Sequence, residues 1–464
     1  MVLQHLPGQL TLAVDLLIKA GRVVTRHGVI DADVAVDAGQ IVAVGAVDDA
    51  GRQEIDATGL HVLPGLIDPH VHFNEPGRTD WEGLDTGSAA LSATGGTCFF
   101  DMPLNSSPPV LDAESFRAKR KLAEAKSRTD FALWGGLTPT NLGRLEELAD
   151  CGVVGFKAFM SGSGIDDFRR ADDLTLYRGM QTAARRGLIV AVHAESESIT
   201  SALACEARQR GDSSWEAYLA SRPILAEVEA VQRAITLAAE AGCRLHLVHL
   251  SSGRAVERVR LAADPDGLGL DVSAETCPHY LTLTAADLPR RGAIAKCAPP
   301  LRSADECEKL WAALEDDALA FVASDHSPAP PAMKSSADAF EAWGGIAGVQ
   351  STLPILLSRR PPLPLPRIAQ LTSGNVAARF GLPHKGQIAE GFDADLALVD
   401  LEDRHTLTRE ALLDRHRLSP YVGREFEGRV VRTLVRGQTV FHEGRADASF
   451  RGRLVTPQIA SAAP

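Results

Sequence analysis

Between about residues 64 and 385 the chain repeats one pattern eight times: a short apolar run, a loop of small or polar residues, then a helix-like segment. The runs end near Asp68, Met102, Gly135, Phe159, His193, His249, Glu275 and Asp325. Apolar runs this short, bounded by turn residues, read as buried strands. Eight of them alternating with helices predict an α/β fold, a (β/α)8 TIM-type barrel, whose functional groups gather at the C-terminal ends of its strands. A doubly wound sheet is the alternative that alternation alone leaves open. Two intervening segments carry their own punctuation. Asp112 is placed to cap a helix reaching about Lys126, and Gly242 to end one running from about Ile224 to Ala241.

The flanks obey a different rule. From Asp15 onward come short β-type runs, Leu16-Leu17-Ile18, Gly21 to Val24, Asp33 to Val36 and Gln40 to Val44. Turn signals separate them at Ala20-Gly21, His27-Gly28 and Asp37-Ala38-Gly39. The same texture returns in Asp395 to Asp400 and Arg432 to Phe441. Both ends are therefore expected to build one small, sandwich-like β domain, residues 14–63 and 386–454, interrupted by the barrel of 64–385. A loose extension up to about Ala13 and a tail over 455–464 complete the division. A chain of 464 residues, long for one domain, has room for this arrangement.

The ionisable residues at the strand ends carry the chemistry. The first barrel strand runs out into Asp68-Pro69-His70-Val71-His72, and side chains two apart on a strand face the same way. Two imidazoles so placed suit one metal ion, although such a pair is often merely solvated. Further donors end other strands: Lys157 the fourth, His193 the fifth, His249 the sixth and Asp325 the eighth. Singly, His193 reads as a packed core histidine and Lys157 as a snorkelling side chain. Jointly they place four imidazoles, a lysine and a carboxylate at one mouth.

Lys157 is the informative member. An ammonium among apolar neighbours and beside cations is driven toward the neutral amine. A neutral amine reacts with carbon dioxide, and the resulting N6-carboxylysine has two oxygens to bridge two divalent ions. The donor set suits zinc, with cobalt, manganese or iron as alternatives. Asp325 is both a ligand and the group placed to carry a proton to a departing nitrogen. The reaction class is amide hydrolysis.

This set resembles the binuclear amidohydrolases that open cyclic amides: dihydroorotases, hydantoinases (dihydropyrimidinases) and allantoinases. Of these the allantoinases are the nearest match, and the likeness covers nearly the whole chain. It is carried by Asn74-Glu75-Pro76-Gly77-Arg78-Thr79-Asp80-Trp81-Glu82-Gly83, Met102-Pro103-Leu104-Asn105, Glu275-Thr276-Cys277-Pro278-His279-Tyr280, Lys296-Cys297-Ala298-Pro299-Pro300, Asp325-His326-Ser327-Pro328 and Gly344-Gly345-Ile346. Similar dihydroorotases carry Arg where Asn74 stands, to grip a carboxylate; an amide suits a neutral ureido or imide group instead. Hydantoinase-like enzymes carry Tyr at the position of Gly162, and the smaller residue leaves room for a bulkier ring substituent.

The resemblance implies hydrolysis of allantoin to allantoate, with Asn74, Cys297 and Ala298 contacting substrate, Asn105 either contacting it or capping its own turn, and a homotetrameric assembly. A hydantoinase- or dihydroorotase-type activity is the alternative. A non-catalytic scaffold on the same fold is a distant third, because such proteins have lost ligands that are present here. His279 and His326 are candidates for orienting the ligands, and the glycine-rich stretch Ser161 to Asp167 for a lid.

A net charge of −12 argues against nucleic acid or an anionic membrane as partner, leaving a small molecule. Seven scattered cysteines without CxxC spacing look like free thiols, and with no apolar segment long enough to span a bilayer the expected location is the cytoplasm. Of two proline-rich stretches, Arg359 to Arg367 reads as a connecting loop and Ser327 to Pro331 as a rigid loop at the site.

Overall fold

The computed structural model describes residues 13–48 and 50–458. The flanking strands come first in the chain: β1 (Val14–Thr25), β2 (Gly28–Asp37), β3 (Gln40–Gly45), β4 (Gly51–Asp56) and β5 (His61–Pro64). The barrel follows as β6 (Leu66–Val71), β7 (Gly96–Asp101), β8 (Asp130–Leu133), β9 (Gly135–Gly136), β10 (Gly155–Phe159), β11 (Ile189–His193), β12 (Arg244–Leu247), β13 (Val272–Thr276) and β14 (Phe321–Val322). The chain closes with β15 (Leu396–Thr406), β16 (Glu425–Val435), β17 (Gln438–His442) and β18 (Arg445–Ala446).

Every barrel strand pairs in parallel with its neighbour. β8 and β9 form one barrel strand broken at Trp134, whose buried indole finds a partner by donating to Pro69 O at 3.0 Å. The ring closes between first and last strands: Val71 bridges His326 in parallel, and His72 N donates to His326 O at 2.8 Å. An open doubly wound sheet has no such closure. Asp68 reinforces the seam, its Oδ1 accepting from Ser324 N at 3.1 Å. The helices Ala113–Lys126 and Ile224–Ala241 stand where their caps predicted, Asp112 accepting from Ser115 N and Gly242 adopting φ 62°.

Strands from both ends make one nine-stranded sheet, in the order β18-β17-β16-β15-β5-β1-β2-β3, with β4 against β1. The sequence predicted a sandwich-like unit; the strands of both ends hydrogen-bond in a single sheet, and one of its apolar clusters includes Ile18, Val34, Leu396 and Leu434. β5 is its hinge, parallel to β1 and antiparallel to β15. Gly65 joins β5 to β6 where a Cβ would lie 2.3 Å from the Thr97 side chain, so this close crossing needs glycine. The supposed turn at Ala20-Gly21 is a β-bulge inside β1: pairing with β2 shifts register between Ile18 and Gly21, with Ala20 at φ 57°. The extension before Ala13 and the tail from 459 onward lie outside the described residues. Residues 455–458 are pinned, Val455 N donating to Phe131 O at 2.7 Å and Gln458 N to Gly381 O at 2.8 Å.

A buried ion cluster ties barrel to sheet. Lys385 Nζ lies 3.0 Å from Asp130 Oδ2, 3.1 Å from Asp393 Oδ2 and 2.6 Å from Asp395 Oδ2, and Arg436 pairs with Asp130. Burial opposes a charged amine, but the carboxylates outweigh it and hold Lys385 protonated. Lys385→Met strands those carboxylates, and a urea titration at neutral pH is expected to show a loss of about 3–5 kcal/mol. Protonating the stranded carboxyls relieves the loss, so the gap to the unsubstituted chain narrows as pH falls.

Candidate active site at the C-terminal mouth of the barrel

The strand ends deliver the predicted residues to one place. His70 lies on β6 with His72 just past its end, Lys157 is central in β10 and His193 ends β11. His249 and Asp325 follow β12 and β14 in the left-handed region, at φ 43° and 44°, and Asn74 and Asn105 join them at 63° and 61°. Such conformations are uncommon for non-glycine residues, and their gathering at the mouth marks backbone strain held by the surrounding fold.

Two donor groups result. His70 Nε2 and His72 Nε2 lie 3.2 and 3.3 Å from Asp325 Oδ1, forming a three-donor cluster fit for a cation. Beside it His193 Nδ1 stands 3.0 Å from His249 Nε2. Buried carboxylates hold the far nitrogens of two rings: Glu275 Oε1 at 2.5 Å from His70 Nδ1, and Glu195 Oε2 at 2.9 Å from His193 Nε2. One other cluster among the described residues, Asp130, Asp393 and Asp395, already has Lys385 as its cation.

Lys157 is fully buried, and its Nζ has no hydrogen-bond partner. Burial lowers the ammonium to about 8, although Asp325 and Glu275 pull the other way. Burial drives His70, His249 and, less far, His193 below the ordinary imidazole range, helped by the Lys157 charge. The rings are thus neutral, as metal ligands must be. Glu275 has no guanidinium beside it, and burial pushes its carboxyl well up. An unpartnered amine, neutral imidazoles and under-compensated carboxyls together fit a site completed by cations.

A cavity of about 500 Å³ opens over these groups. Asn105, Cys297 and Ala298 lie on its wall, as predicted for substrate contacts, and so do Gly162, Ser163 and Gly164 of the glycine-rich loop. Asn74 does not. It is wholly buried, donating through Nδ2 to Pro328 O at 3.3 Å, while its Oδ1 has no partner. A Cβ on Gly162 would meet nothing nearer than Glu197 Oε2 at 3.9 Å, so the cavity has space there. His326 accepts at Nδ1 from the amides of Gly348 and Val349, at 3.2 and 3.4 Å, and so braces a loop; no imidazole of the site bonds to it.

Several wall residues escaped the sequence reading. Tyr218 donates its hydroxyl to Cys297 O at 2.8 Å, and Arg222 pairs with Glu195. Glu195 had a signal: it follows His193 at the same two-residue spacing that links His70 to His72. Arg222, placed after the short helix Trp215–Ser221, had none.

Residues 61–440 match the model of the Amidohydrolase family. The chain is 54% identical over 445 residues to an allantoinase of Solibacter usitatus, covering 95% of this chain and 97% of that one. An allantoinase of Rubrobacter xylanophilus is 56% identical over 450 residues, covering 96% and 98%. Among solved structures, an L-hydantoinase (dihydropyrimidinase) from Arthrobacter aurescens superposes with a TM-score of 0.92 at 34% identity, over 96% of this chain and all of that one.

Proposed function

This chain belongs to the amidohydrolase family, and we propose that it is a cyclic amidohydrolase that opens the hydantoin ring of allantoin to give allantoate. Full-length identity of 54% and 56% to two proteins named allantoinase carries the choice of substrate. The strand-end donors support the reaction class.

His70, His72 and Asp325 hold one divalent ion in this reading, and His193 and His249 a second. The second pair alone offers only two donors. Lys157, buried and without a partner, would complete both as its carbamate: the amine nitrogen would bond to the carbon of carbon dioxide and release a proton. About a tenth of an amine with pKa about 8 is neutral at pH 7, enough to react. We take zinc as the metal from the imidazole-rich, hard-oxygen donor set. Two such ions, when bound, would supply Lewis acidity able to acidify water and polarise the scissile carbonyl.

The remaining work falls to the protein. Asp325, 13% exposed and on the cavity wall, takes the proton of the attacking water and returns it to the ring nitrogen as the C–N bond breaks. Asn105 offers an amide to the ring, and the Cys297–Ala298 backbone, held in place by Tyr218, lines the other side. Gly162 leaves space for the ureido arm. Phe159, Phe340 and Trp343 on the wall limit water.

We further take the barrel as residues 64–385, the assembly as a homotetramer and the location as cytoplasmic. All seven cysteines are unpaired and, among the described residues, no helix is long and apolar enough to cross a membrane. Light scattering on the purified chain checks the assembly. The substrate reading is tested by a panel of allantoin, dihydroorotate, hydantoin and dihydrouracil after loading with zinc, cobalt, manganese or iron. Allantoin is expected to give the highest kcat/KM; equal or faster turnover of another member would assign the chain to that relative's activity.

A further inference from the structure

We propose that Glu195, clamped by Arg222, is a positioning residue that fixes His193 with its Nδ1 bare and turned toward His249. The inference rests on the metal-dependent reading above and adds residues to it.

A neutral imidazole carries one N–H, so the partner of one nitrogen decides what the other offers. His193 Nε2 lies 2.9 Å from Glu195 Oε2, and that oxygen also receives the Arg222 guanidinium. Glu195 is wholly buried and its Oε1 has no partner. A carboxylate oxygen paired with a guanidinium can only accept from the imidazole. His193 must therefore donate through Nε2, which leaves the lone pair on Nδ1, 3.0 Å from His249 Nε2.

The other rings are held differently. His72 Nδ1 faces only the neutral Leu104 carbonyl at 3.4 Å, and Glu275 divides its oxygens between His70 and His246 with no guanidinium beside it. Glu195 thus has the one bond of its kind in the site: a carboxylate kept charged by an arginine that itself faces the cavity. Arg222 is in turn anchored through its carbonyl, which accepts from Arg302 Nη1 at 2.6 Å. The order is cavity wall, guanidinium, carboxylate, imidazole.

The test compares Glu195→Ala, Glu195→Gln and Arg222→Met with the unsubstituted chain. The readouts are metal stoichiometry, zinc affinity by chelator competition, the cobalt absorption spectrum, and thermal unfolding of the metal-free proteins. The unsubstituted chain is expected to hold two ions. Glu195→Ala should keep one and bind the other about 10–100-fold more weakly, with an altered cobalt spectrum. Glu195→Gln, whose amide oxygen still accepts from Nε2–H, should lose less. Arg222→Met should weaken the same ion, and adding it to Glu195→Gln should cost less than the product of the two separate effects. Should Glu195→Ala fail to fold, the other two variants and their combination carry the test. Two ions bound by every variant with unchanged affinity and spectrum would overturn this inference alone. An unsubstituted chain that takes up no metal would overturn it together with the function proposed above.

Discussion

Lys157→Ala is expected to fold, to take up at most one divalent ion per chain, and to lose about 10³-fold or more in kcat/KM for allantoin. The amine sits without a hydrogen-bond partner among neutral imidazoles, so the position contributes little to the folded state as a charged lysine. Its loss removes the only oxygen donors that the proposal places between the two histidine pairs. Losing the charge stabilisation that a second ion provides costs several kcal/mol, and each 1.36 kcal/mol is a factor of ten in rate. The shortened side chain leaves a void in which a small carboxylate, acetate or propionate, should restore part of the rate and of the metal content. A purely structural lysine would show no such rescue. The amine also sets a pH dependence. Metal-stripped protein reassembled with zinc under a fixed pressure of carbon dioxide should recover faster as pH rises through about 8, where half of the amine is neutral, and level off about one unit higher.

Asp325→Asn should lower kcat by about 10²–10⁴-fold while leaving KM within a few-fold. Asp325 Oδ1 stands within 3.3 Å of both His70 and His72 Nε2, yet its carboxyl remains open to the cavity, so in the proposed function one oxygen would ligate and the other would reach the reacting atoms. An amide at this position keeps the shape and one ligating oxygen but accepts no proton from water. Rate and metal content measured together separate the two roles. Full metal content with the rate lost is the signature of the proton carrier; loss of both would reduce Asp325 to a ligand.

The barrel and the donor set were legible because each follows from a local rule. Strands buried on both faces must be apolar along their length, so eight such runs announced themselves, and a charged Lys157 inside one of them stood out. The spacing of His70 and His72 needs only the two-residue period of a strand. What failed needed information beyond the local chain. Ala20-Gly21 serves a turn and a bulge with the same residues, and only pairing with β2 decides between them. Asn74 was assigned by its chemistry, and nothing local in the chain signals that its amide nitrogen donates to Pro328 O. Arg222 meets Glu195 only once the barrel has closed, and nothing in Arg222's own neighbourhood signals the meeting. The β4 strand, polar and mostly exposed, carried no apolar pattern to betray it.

The most direct measurement is anomalous diffraction from crystals of the zinc-loaded protein. Two zinc peaks are expected, one among His70, His72 and Asp325 and one beside His193 and His249, with continuous density running from Lys157 Nζ to both. A bare amine at Lys157, or zinc bound anywhere else, would contradict the account.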